Sequence, residues 1–70
     1  MNTPELTAKQ MEVIRLAAEG MGLKESARAL GISVDTVKDR RTLAVRKLSC
    51  KNITHAVHVA HVQGLIGGAA

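Results

Sequence analysis

Apolar residues recur along this chain at intervals of three and four in four blocks, each bounded by a glycine or by a residue suited to begin a helix. In the first block Val13, Ile14, Leu16 and Ala17 gather on one side, while Glu12, Arg15 and Glu19 fall largely elsewhere. Thr7 stands where its side chain can accept from the backbone N–H of Gln10 while Gln10 reaches back, and Leu6 can pack on Met11 across that start. Gly20 and Gly22 stop the pattern, which predicts a helix over about 7–19.

Leu23, Ala27 and Leu30 form a second, shorter stripe that predicts a helix over about 23–30, with Gly22 as an N-cap lacking a side-chain acceptor and Gly31 as the stop. Only a short turn separates Gly31 from Ser33, the next N-cap, and Asp35 follows where a positive helix end favours a carboxylate. Two helices joined so closely must cross steeply, the geometry of a helix-turn-helix. The third helix, about 34–49, turns Val37, Ala44, Val45 and Leu48 to one face with Arg41 at its edge. At roughly 100° per residue, Asp35, Lys38, Asp39, Thr42 and Arg46 share a stripe opposite that face.

The fourth helix, about 52–63, carries two apolar edges. Ile53, Ala56, Val57 and Ala60 would close the core, whereas Val59 and Val62 project to nearly the opposite side, flanked by His55 and His58. A helix in a monomer has no reason to display both, so this second edge is expected to pair with a partner chain. The fold expected is all-α, a four-helix helix-turn-helix domain over 6–66, with a flexible lead-in over 1–5 and a frayed tail over 67–70.

Composition narrows this picture. Seventy residues support one small core, and without Phe, Tyr or Trp that core must be built from Leu, Ile, Val, Ala and Met, which suits closely approaching helices. A core of this size rarely supplies more than about 3–5 kcal/mol, a second reason to expect self-association. A formal charge of +4 suits a polyanionic partner. The single cysteine, Cys50, cannot form an intrachain disulfide, the N-terminus lacks a signal-peptide core, and the longest apolar stretch is interrupted by His58, His61 and Gln63. These features predict a cytoplasmic protein without a membrane segment. His55, His58 and His61 follow Cys50 closely, but zinc needs ligands from a second segment and none is evident, so neither metal nor cofactor is expected, and no catalytic group. The histidines instead border the pairing edge, where their protonation would weaken association.

With these elements in place, the segment 6–66 resembles the DNA-binding domain of LuxR/FixJ/GerE-type transcription regulators. The resemblance rests on "LTAKQMEVIRLAAEG" in the first helix, "KESARALGIS" and "TVKDRR" through the helix-turn-helix, "RKL" at the end of the third helix and "NITHAVHVAHVQGLI" in the fourth. It implies a third helix inserted in the major groove and a homodimer formed through the fourth, on an inverted-repeat operator in double-stranded DNA. It also implies that Lys38 contacts bases or phosphates and that Thr36, Arg40 and Lys47 hold the backbone. With the side-chain chemistry added, Lys38, Asp39 and Thr42 are expected to read bases, and Thr36, Arg40, Arg46 and Lys47 to bind phosphates. The expected dimer interface is His55, His58, Val59 and Val62.

The chain departs from the family pattern at four places. Asp39 puts a carboxylate where relatives more often have a neutral or apolar residue, Leu43 occupies a usually polar position, Arg40 replaces the usual histidine, and Ser26 replaces an apolar residue that packs inside. No sensory or phosphoreceiver domain is evident, so the resemblance is to small stand-alone members with no input of their own. Two other readings stay open. In one, the chain is an interaction protein that forms heterodimers with another LuxR-type regulator and binds DNA weakly. In the other, it is a module like region 4 of sigma factors, which shares much of the text through Leu48 but is not expected to continue into a fourth helix ending "GLI".

Overall fold

The computed structural model describes residues 6–66; the lead-in and tail expected at 1–5 and 67–70 lie outside the described residues. Four helices follow in order, α1 (Ala8–Ala18), α2 (Leu23–Leu30), α3 (Val34–Lys47) and α4 (Ile53–Val62). Each lies within its expected range, and the differences are at the caps.

All four helices begin with a side chain that accepts from an otherwise unpaired backbone N–H. At α1 the box is reciprocal: the Gln10 N–H donates to Thr7 Oγ1 and the Thr7 N–H to Gln10 Oε1, both at 3.1 Å. Gly22 has no acceptor of its own, but Glu25 supplies one by taking the Gly22 N–H at 3.0 Å. Ser33 Oγ accepts from the Thr36 N–H at 3.0 Å, and Asn52 Oδ1 from the His55 N–H at 2.8 Å.

All four also end alike. The amides of Met21, Ile32, Cys50 and Leu65 donate back to the carbonyls of Leu16, Ala27, Val45 and Ala60 at 3.1, 3.0, 3.0 and 2.8 Å. This closure, the Schellman motif, needs a left-handed residue just before the donor. Gly31 fills that place between α2 and α3 with φ of 69°, and Ser49 fills it after α3 with φ of 57°. Helix α3 was expected to run to residue 49; it stops at Lys47 because Leu48 caps it and Ser49 has left the helical region.

α1 packs against both α3 and α4, while α2 packs chiefly on α3. Two adjacent residues of α1 divide the interior between them. Ile14 joins Ala44, Leu48, Ala56, Ala60 and Ile66, and Val13 joins Ala27 and Val37. Ala44, Ala56 and Ala60 are fully buried, so methyl groups sit where the helices meet and the backbones can approach closely in the absence of any aromatic ring. Among the described residues, no helix is long and apolar enough to cross a membrane.

Candidate nucleic-acid interface

The turn from Gly31 to Ser33 fixes α2 against α3 from both sides. The Ile32 amide closes the end of α2, Ser33 opens α3, and half-buried Ile32, Val34, Leu23 and Leu30 pack on the Val13, Ala27 and Val37 cluster beneath them. With Val37, Ala44 and Leu48 held inward, the opposite side of α3 must face solvent. Asp35, Lys38, Asp39, Thr42 and Arg46 are all exposed there, as is Lys47 farther round, and Arg40 is half-buried. The structure therefore brings the expected base-reading residues onto one open face.

Five cations and two carboxylates lie on α3, and both carboxylates, Asp35 and Asp39, are in its N-terminal half. Asp39 has no hydrogen-bond or ion-pair partner among the described residues. Thr36 is half-buried, and its hydroxyl lies 2.8 Å from Ser33 Oγ, so it is already engaged in the start of the helix while keeping capacity for a further bond. Leu43 is 43% exposed on the same open side.

On α4 the expected pairing edge is only partly free. Val62 is 71% exposed and His58 is exposed. Val59, however, is half-buried and packs against the Ile14 cluster instead of projecting away from it. The cause is helical: Val59 is three positions from fully buried Ala56, only about 60° round α4, and so borders the core-facing edge, where Leu65 and Ile66 join the same cluster. His55 is exposed, but its Nδ1 accepts from the Lys51 N–H at 3.2 Å, so the ring completes the entry to α4. Among the described residues, no group of three or more His, Cys, Asp or Glu side chains is placed to hold a metal ion. Cys50 is half-buried, and burial pushes its thiol pKa up, which leaves it a poor nucleophile.

Two features lie outside the expected site. Ser26 is fully buried with its hydroxyl unpartnered, at the position where the resemblance implies an apolar residue packed inside. Arg41, expected only at an edge of the core, reaches back to the α1–α2 loop, where Nη2 donates to the Met21 carbonyl at 3.0 Å. No sequence periodicity points to that contact, since it joins residues twenty positions apart through a loop carbonyl.

Residues 4–60 match the family described as "Bacterial regulatory proteins, luxR family". The chain is similar to the transcriptional regulatory protein YdfI of Bacillus subtilis, 37% identical over 65 residues that make up 93% of this chain and 30% of that protein. It is also similar to the uncharacterized transcriptional regulatory protein YvfU of the same organism, 36% identical over 61 residues, 87% of this chain and 30% of the relative. Among solved structures it is similar to the response regulator ChrA of a heme-sensing two-component system, with a TM-score of 0.85 and 30% identity, covering 94% of this chain and 33% of that one. The chain thus spans about 30% of the length of the curated relatives it matches.

Proposed function

The chain belongs to the luxR family of bacterial regulatory proteins, and on that premise we propose that it is a sequence-specific, DNA-binding transcriptional regulator that acts in the cytoplasm as a homodimer. α3 enters the major groove and α4 pairs two copies on an inverted repeat. The observation that carries this reading is the exposed face of α3, where Lys38, Asp39, Thr42 and Arg46 stand together on a helix braced by α2. A helix with its side chains is about 10–12 Å across and the major groove about 12 Å wide, so that face meets base edges once the helix is seated.

The roles follow from side-chain chemistry. Lys38 donates to guanine O6 and N7, Thr42 donates or accepts at a neighbouring edge, and Asp39 accepts from a cytosine amino group. Arg40, Arg46, Lys47 and Thr36 bind phosphates and set the register without reading sequence. Dimerisation uses Val62 and His58, with His55 and half-buried Val59 at the margin. Selection of bound DNA from a random pool at physiological salt tests the whole reading: a palindromic consensus is expected, and no enrichment would overturn it.

A second reading is favoured by the unpaired carboxylate of Asp39 on the groove face and by the exposure of Val62. In it the chain pairs through α4 with another LuxR-type regulator and its own DNA contact is weak. Mixing experiments with such a regulator distinguish the two, because only the second predicts that the heterodimer displaces the homodimer at equal concentrations.

A further inference from the structure

A cleft of about 280 Å³ lies between the C-terminal end of α1, the following loop and the N-terminal end of α4. Its walls include Ala17, Ala18, Met21, Ile53 and Val57, and the single charged group that lines it is Arg41. Arg41 lies about 60° round α3 from Lys38, but its side chain reaches back to the α1–α2 loop, so the cleft adjoins the face that would meet DNA and takes no other residue of α3 into its lining.

The state of Arg41 is unusual for a cation set among apolar walls. Its guanidinium has five N–H donors. One is given to the Met21 carbonyl, Nε is buried without a partner, and no carboxylate of a described residue pairs with it. A partly desolvated charge without a counter-ion is costly, and an anion entering from the open side would relieve that cost. At about 280 Å³ the cleft falls just below the roughly 300–1,000 Å³ typical of small-molecule sites, which suits a ligand of few atoms.

We propose that this cleft binds a small monocarboxylate with a short aliphatic body. The carboxylate accepts from the Nη groups of Arg41, in the planar geometry that guanidinium favours. The aliphatic body lies along Ala17, Ala18, Ile53 and Val57, where it leaves water. Inorganic anions lack that body, and neutral analogues leave the guanidinium unpaired. This inference is independent of which bases α3 reads.

The test is a titration of the full chain with hexanoate, followed by the NMR methyl signals of Ala17, Ala18, Ile53 and Val57, alongside hexanamide and sulfate. Two variants accompany it. Ala18→Leu fills the cleft from an exposed helix position, and Arg41→Lys keeps the charge but loses the planar fork; circular dichroism checks that both fold. The expected result is saturable binding of hexanoate with a dissociation constant on the order of 1 mM, at least about tenfold weaker in each variant, and no saturation with hexanamide or sulfate over the same range. Absence of saturation with hexanoate, equal binding of hexanamide or sulfate, or unchanged binding in either variant would overturn the proposal.

Discussion

The backbone amide of Cys50 donates to the Val45 carbonyl at 3.0 Å across Ser49, which sits at φ of 57°. The other three helices close the same bond over glycine. A side chain in that conformation is strained by its Cβ, whereas glycine is not. Ser49→Gly is therefore expected to stabilise the fold by about 0.5–1 kcal/mol after the greater freedom of glycine in the unfolded chain is allowed for, measured by urea denaturation. A destabilised variant would mean that the Ser49 hydroxyl has a role in the turn.

Ser26 gives the second expectation. Its hydroxyl is fully buried beside Ala27 without a partner, so Ser26→Ala removes a desolvated polar group and little volume. The gain expected is about 1 kcal/mol, read as a higher urea midpoint with an unchanged slope.

Lys38 and Arg46 share the open face of α3 but are assigned different work. Lys38→Ala is expected to lower discrimination at one base pair by about 1–3 kcal/mol. Arg46→Ala is expected to weaken binding to all sequences alike and to lower the slope of log affinity against log salt by about 1. Competition binding with single-base variants of a selected operator separates the two, and matching profiles would refute the division.

Asp39 should show the opposite signature. Removing its charge with Asp39→Ala relieves repulsion from phosphates, so affinity for unrelated DNA rises, while preference for cytosine at one position falls by about 1–3 kcal/mol. If the base profile is unchanged and only affinity rises, Asp39 reads nothing and the heterodimer reading gains.

On α4 the two valines are not equivalent. Val62→Asp, at 71% exposure, is expected to abolish self-association while leaving helical content intact, measured by sedimentation equilibrium and circular dichroism. Val59→Asp places a charge against the Ile14 cluster and should lower monomer stability as well, by about 1–3 kcal/mol.

Much of this architecture is legible in the sequence because the signals are local. The box joining Thr7 to Gln10, the stop at Gly31 and the stripe of Lys38, Asp39, Thr42 and Arg46 depend on residues within a turn or two of one another. The part that is not legible depends on where distant segments return. Val59 packs in a cluster that Ile66 completes from beyond the end of α4, and the Arg41 side chain ends at a carbonyl of an earlier loop. Helical periodicity alone gives the direction of a side chain but not what arrives there. Glu25 is an intermediate case: its bond to the Gly22 N–H could have been read from the three-residue spacing alone, a cue easily passed over because glycine offers no reciprocal acceptor.

The division of the interior at Val13 and Ile14 has a dynamic consequence. α2 is anchored through the smaller of the two clusters, and its fully buried Ser26 adds no apolar grip. α1, α3 and α4 remain joined through the larger cluster whether or not α2 is seated. On that division α2, held by the smaller cluster, is expected to open before the other three helices, which amide hydrogen exchange would show. Short-lived excursions that free α2 would leave three helices docked and α3 less firmly aimed, so the residence time of the chain on DNA would track the lifetime of this weaker unit.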